Sequence, residues 1–203
     1  MNKYSVKAKF LVIILFFCSA FVACQNNYTP KPKGYFLIEL PEKSYRLFNE
    51  PGYPYTFEYP TYANIVKDTT FFDEKAENPY WINIEFPEFH SKLYMSYKII
   101  GANKRNSFEN LVDDAFKLTY KHTYKASYID EQEFSTPNNV YGLYYNVGGN
   151  AASAKQFFAT DSTKHFIRGA LYFYAPPNAD SLQPVINFLQ ADMYHLVETL
   201  KWK

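Results

Sequence analysis

The sequence predicts one α+β domain in which an antiparallel β-sheet, largely a meander, is covered by two helices. Three observations predict it. Four strand-length segments follow one another after residue 126 with only short turns between them. Connections that short force antiparallel neighbours, because a parallel crossover needs about a dozen residues or more. Residues 80–86 and 93–99 alternate apolar and polar side chains with a period of two. Two further stretches, after Ser107 and after Asp180, carry apolar residues at helical spacing.

Taken in order, the chain begins with a targeting segment. Lys3, Lys7 and Lys9 precede the apolar run 10–17, and the segment closes on Phe21-Val-Ala-Cys24. A basic start, a short apolar core and small residues before a break are the parts of a signal peptide, predicted here as residues 1–23. The apolar run is shorter than the roughly 20 residues a membrane span requires. In bacterial lipoproteins such a break falls before a cysteine whose thiol is alkylated by a diacylglycerol. Val22 and Ala23 supply the small residues that the cut needs, although Phe21 stands where leucine is usual. Cys18 follows the bulky Phe16 and Phe17 and does not fit. The plainer alternative is an ordinary cleaved signal with an incidental cysteine. Cys24 is the predicted lipidation site.

Residues 24–33 are polar, carry Pro30 and Pro32, and read as an extended tether. The single domain is predicted over 34–203, with order beginning at 34–41 and short strands at 55–59 and 62–66 among prolines. Next, Tyr80, Ile82, Ile84 and Phe86 share one face of a strand, and Leu93, Met95, Tyr97 and Ile99 repeat the pattern. The turn Pro87-Glu-Phe-His90 between them predicts a hairpin. Ser107 is placed to cap the first helix, with Phe108, Leu111, Val112, Ala115, Phe116 and Thr119 at helical spacing. The meander strands are 127–134, 140–147, 155–160 and 165–174, separated by turn formers at 135–139, 148–150 and 161–163. Asp180 is predicted to cap the last helix, whose stripe runs through Leu182, Val185, Ile186, Leu189, Met193, Leu196, Val197 and Leu200. Leu189 is predicted buried, Gln190 to point away from the sheet, and Trp202 to lock the helix end.

Without residues 1–23 the chain keeps 18 basic against 20 acidic side chains, a formal charge of −2. No basic excess remains, which argues against a nucleic-acid partner. Cys18 leaves with the signal and Cys24 is acylated, so the domain forms no disulfide and depends on its apolar core. Aromatic residues make up 20% of the chain, a composition suited to strands.

The residues that carry chemistry in other proteins are scattered here. His90, His122, His165 and His195 show no metal-ligand spacing; His195 and Glu198 stand three apart on the last helix but read as a solvated edge. Gly148-Gly-Asn150 lacks the Lys-Ser/Thr of a phosphate loop and reads as a hairpin turn. Ser153 lacks the flanking glycines of a nucleophile elbow. Asp73, Glu74 and Glu77 form an acidic loop without the spacing of a calcium loop. No catalytic, cofactor or metal site is therefore predicted. Tyr53, Tyr55, Tyr59 and Tyr62, with Tyr141, Tyr144, Tyr145, Tyr172 and Tyr174, read either as half-buried strand residues or as a surface for a glycan or a protein.

Several stretches resemble the gliding-motility lipoprotein GldD family of Bacteroidota. They are Tyr28-Thr-Pro-Lys-Pro-Lys-Gly-Tyr-Phe-Leu-Ile-Glu-Leu-Pro41, Asn78-Pro-Tyr-Trp-Ile-Asn-Ile84, Gly142-Leu-Tyr-Tyr-Asn-Val-Gly-Gly-Asn150, Phe173-Tyr-Ala-Pro-Pro-Asn-Ala-Asp-Ser-Leu182 and Asp192-Met-Tyr-His-Leu-Val-Glu-Thr-Leu-Lys-Trp202. The resemblance implies a non-enzymatic envelope lipoprotein, held to the membrane through the lipid on Cys24. It implies protein partners in the gliding and type IX secretion machinery. A lipoprotein that binds a glycan or cell-wall fragment through aromatic side chains is the alternative. Gln25 is not the aspartate that retains enterobacterial lipoproteins at the inner membrane, which points to the outer one. At fold level the predicted layers are loosely similar to the PsbP/Mog1-like sandwich.

Overall fold

The computed structural model describes residues 37–68, 70–71 and 74–203. The signal segment, Cys24, the tether and Asp73 lie outside the described residues. Along the chain come β1 (Tyr45–Phe48), β2 (Tyr55–Pro60), β3 (Asn64–Lys67), β4 (Thr70–Phe71), β5 (Glu74–Lys75), β6 (Ile82–Phe86) and β7 (Ser91–Ile99). Then follow α1 (Phe108–Tyr120), β8 (Ala126–Thr136), β9 (Val140–Gly149), β10 (Lys155–Thr160), β11 (His165–Phe173), α2 (Ala179–Thr199) and β12 (Lys201–Trp202).

Period-two alternation builds the hairpin as the sequence predicts. β6 and β7 pair antiparallel with Ile84 opposite Leu93, and His90 closes the turn at φ 44°. The meander forms too, with β8 to β11 each antiparallel to the next. A non-local pairing then joins the two units, as β11 runs antiparallel to β7 from His165 opposite Ile99 to Phe173 opposite Ser91. The result is a seven-stranded sheet in the order β3-β6-β7-β11-β10-β9-β8. The sequence reading did not contain the small second sheet, β1-β2-β12, nor the β4-β5 ribbon.

The two helices cover opposite faces, because cross-strand partners alternate between them. One face presents Ile82, Ile84, Leu93, Met95, Phe157 and Ile167 to Val185, Leu189, Met193, Leu196 and Val197 of α2. Phe48, Tyr55 and Phe57 of the small sheet join this core. The other face presents Tyr145, Phe158 and Phe166 to Leu111 and Ala115 of α1.

Helix ends follow capping rules with one correction. The Ser107 hydroxyl accepts from the Asn110 N–H at 3.2 Å, as predicted. For α2 the cap is Asn178, whose side chain accepts from the Ser181 N–H at 3.3 Å, and Asp180 lies inside the first turn. Leu189 is fully buried. Gln190 does not point away: it is half-buried and donates to Asn146 Oδ1 at 3.3 Å and to the Tyr194 hydroxyl. Trp202 closes the chain by stacking on His165, ring centroids 5.0 Å apart, while β12 pairs with β2.

Candidate functional site

Helix α1 is too narrow to cover the sheet face it lies on. Its apolar stripe is two residues wide. Leu111, Ala115 and Thr119 are buried, whereas Phe108 and Val112 are half-buried and Phe116 is 41% exposed. That uncovered flank and the outer meander strands form an open groove of about 1000 Å³. Phe108, Val112 and Phe116 make one wall, and Leu143, Phe158 and Tyr141, itself 42% exposed, lie on the sheet side. Gly142 is fixed by the strands on either side, since a Cβ there would fall 1.9 Å from the Phe158 carbonyl oxygen of β10 and 2.7 Å from the Phe134 ring of β8.

The groove has one sign of charge. Glu109, Asp113 and Glu133 line it, and among its lining residues there is no lysine, arginine or histidine. Asp113 pairs with Lys117 on the outer surface of α1. Beside the groove runs β8, the outermost strand of the sheet. Its 11 residues carry Asp130, Glu131 and Glu133 and no basic side chain. Among the described residues no strand pairs with its outer edge. An exposed edge presents a row of backbone donors and acceptors to any extended chain, and its charges select what approaches.

The predicted site residues do not converge elsewhere. His195 Nε2 lies 2.7 Å from Glu58 Oε2, and its ring stacks on Tyr45 at 3.6 Å; Glu198 is exposed and takes no part. His165 is buried, its Nδ1 2.7 Å from the Tyr97 hydroxyl. Burial pushes its pKa below the usual histidine range, against a smaller opposing pull from Asp161. Burial and the Arg168 charge lower His122 as well. Among the described residues no group of three or more His, Cys, Asp or Glu is arranged to hold a metal ion. Gly149, at φ 84°, turns the chain out of β9, and the Asn150 side chain accepts from the Ala179 N–H at the start of α2. Ser153 is buried. Glu74 falls in β5, and Glu77 is held by Lys98 and Asn106 at 3.0 and 3.2 Å.

Most of the tyrosines singled out by the sequence belong to packing. Tyr55, Tyr144 and Tyr145 are buried, and Tyr53, Tyr59 and Tyr62 pack against the core. Tyr141 and Tyr174 are exposed, as are Tyr124 and Tyr128.

One constellation escaped sequence reasoning. Asp192, on α2, is buried and accepts from Lys43 Nζ at 2.6 Å, from the Tyr45 hydroxyl at 2.9 Å and from the Tyr62 hydroxyl. Lys43 also donates to the Phe188 carbonyl at 2.9 Å and sits 3.7 Å over the Phe188 ring. Burial first, and then the hydrogen bond to Asp192, hold both phenols protonated far above their ordinary pKa. This latch ties Lys43, Tyr45 at the start of β1 and Tyr62, just after β2, to α2. A signal existed in the sequence, because Asp192 falls on the edge of the apolar stripe of α2, where a carboxylate needs partners.

Known proteins place the chain more firmly than its chemistry does. No curated protein matches it significantly. Among solved structures it is similar to the solution structure of cyanobacterial PsbP (CyanoP) from Synechocystis sp. PCC 6803, at 12% identity and a TM-score of 0.47. That match covers 83% of this chain and 98% of the other, and it is too distant to carry function. Among the described residues no helix is long and apolar enough to cross a membrane. The profile of the gliding motility lipoprotein GldD family matches residues 25–202, and the chain belongs to that family.

Proposed function

We propose that the protein is a non-enzymatic envelope lipoprotein, anchored through a lipid on Cys24 in the outer membrane, that assembles or stabilises the gliding and type IX secretion machinery by binding another envelope protein. The match to a family of lipoproteins supports a lipid anchor, and Cys24 is the cysteine placed to carry it. The domain organisation that goes with it is a signal over 1–23, a lipidated tether over 24–33 and a single α+β domain over 34–203.

The observation that carries the binding role is the acidic, apolar groove beside the free strand β8. Its occupant is a protein segment that presents apolar side chains flanked by lysine or arginine. Apolar anchors gain from leaving water, and basic flanks meet Glu109 and Glu133 with opposite charge. A second reading, a glycan or cell-wall fragment, draws support from the concave shape of the groove and the aromatic rings of Phe116 and Tyr141.

Photocrosslinking in cells separates the two. A crosslinking residue at position 141 is expected to capture an envelope protein, while one at Asn187, exposed on α2, captures none. Equal capture from both positions contradicts the groove as the docking site. Carbohydrate-only adducts at 141 establish the glycan reading.

A further inference from the structure

On the other flank of α1 lies a second, more enclosed cavity of about 210 Å³. Arg168 of β11 lines it, between Ser96 on β7 and Phe158 on β10 in the strand register. Gln156 Oε1 accepts from the Arg168 guanidinium and also from the Thr119 hydroxyl at 3.2 Å. Arg168 makes no other hydrogen bond among the described residues, and no carboxylate lies within ion-pairing distance of it. A guanidinium has five N–H donors and stays charged at neutral pH. Burial works against that charge, and it is the main influence on the group. Gln156 Nε2 is buried with no partner, as is the Tyr145 hydroxyl on the same face.

Two of the other three charges around the cavity neutralise each other. Lys98 and Glu77 both line it and are paired with each other at 3.0 Å. Asp114 lines it from the exposed side of α1. The remaining walls are mostly apolar: Trp81, Leu111, Ala115, Leu118 and Phe166.

We propose that this cavity is a binding site for a carboxylate carried on a small apolar body. The planar carboxylate matches the guanidinium fork, which favours bidentate pairing. The apolar walls take the body of the ligand. A phosphate dianion suits the site less, because Asp114 repels a second negative charge. The carboxylate comes either from a free small molecule or from the chain end of a partner protein.

Thermal unfolding of the purified full chain, at matched ionic strength, tests this. The probes are benzoate, a short peptide ending in phenylalanine with a free carboxylate, the same peptide as its C-terminal amide, and inorganic phosphate. Benzoate or the acid peptide, at about tenfold over half-saturation, is expected to raise Tm by roughly 3–6 °C. The amide and phosphate are expected to leave it unchanged. Response to benzoate alone identifies a free ligand, and response to the peptide alone identifies a partner's chain end. Arg168→Met should abolish the response while keeping the ligand-free Tm at or above that of the wild type, since an apolar side chain carries no buried charge. Leu118→Trp, which fills the cavity and leaves Arg168 in place, should abolish the response as well. No response to either carboxylate, or a response that persists in both variants, overturns the proposal.

Discussion

Replacing Asp192 by alanine should destabilise the domain by about 2–4 kcal/mol. The carboxylate is 2% exposed and receives three donors, from Lys43, Tyr45 and Tyr62. Removing one partner of a fully buried ion pair costs about 3–5 kcal/mol, chiefly because the other charge is stranded. Lys43 is not stranded to that degree: it is 30% exposed and keeps its contacts with the Phe188 carbonyl and ring. The ion-pair share is therefore discounted. The two phenols then lose a charged acceptor, a bond type worth about 1.5–3 kcal/mol when intact, and these losses are not additive with the first. For a domain of this size the result is a fall in Tm of roughly 5–15 °C. The assay is urea and thermal unfolding of the purified full chain, with Asp192→Asn beside it. Asparagine keeps a carbonyl for one phenol and should lose about half as much. An Asp192→Ala midpoint within about 0.5 kcal/mol of wild type, the range of an ordinary surface change, would refute the latch.

Leu189→Ala should cost about 2–5 kcal/mol by urea melt, since the side chain is fully buried in the α2 stripe. Its neighbour Gln190 is bonded to Asn146 and Tyr194, so Gln190→Ala should cost a measurable fraction of that. Stability should also fall with acid through His165. Its folded pKa is depressed by burial, so the unfolded chain binds the proton more readily. The contribution is complete above the unfolded value of about 6.5 and is lost as pH falls through the folded value. Urea midpoints measured from pH 7.5 down to about pH 5 should decline, and His165→Phe should flatten that decline. Cys24→Ser should leave a protein that no longer partitions with membranes after a salt wash; unchanged partitioning and processing would remove the lipid anchor from the account.

What the sequence made legible was local. The β6-β7 hairpin and the meander depend on period-two alternation and on turn residues within a few positions of each other. Both helices were readable from their stripes, yet the α1 stripe concealed the groove beside it. Phe108, Val112 and Phe116 look like core positions by spacing, yet Phe108 and Val112 are only half-buried and Phe116 is exposed. Elements of two to four residues, β1 and β12, are too short to show any period. The Asp192 latch joins residues 130 to 149 positions apart, a distance no local pattern spans. Nothing in the sequence singled out Arg168, one charged residue in a mostly apolar strand. Only the packing of α1 across its face of the sheet makes it half-buried.

The central claim is that the acidic groove and the edge of β8 bind a protein partner. Charge reversal of Asp130 and Glu133 to lysine tests it in cells, with gliding, type IX secretion, protein abundance and capture at position 141 measured together. Both positions are exposed, so the fold and the protein level should be retained. Loss of capture and of motility or secretion at normal abundance is the predicted result. Full activity and undiminished capture in the charge-reversed protein would contradict the account.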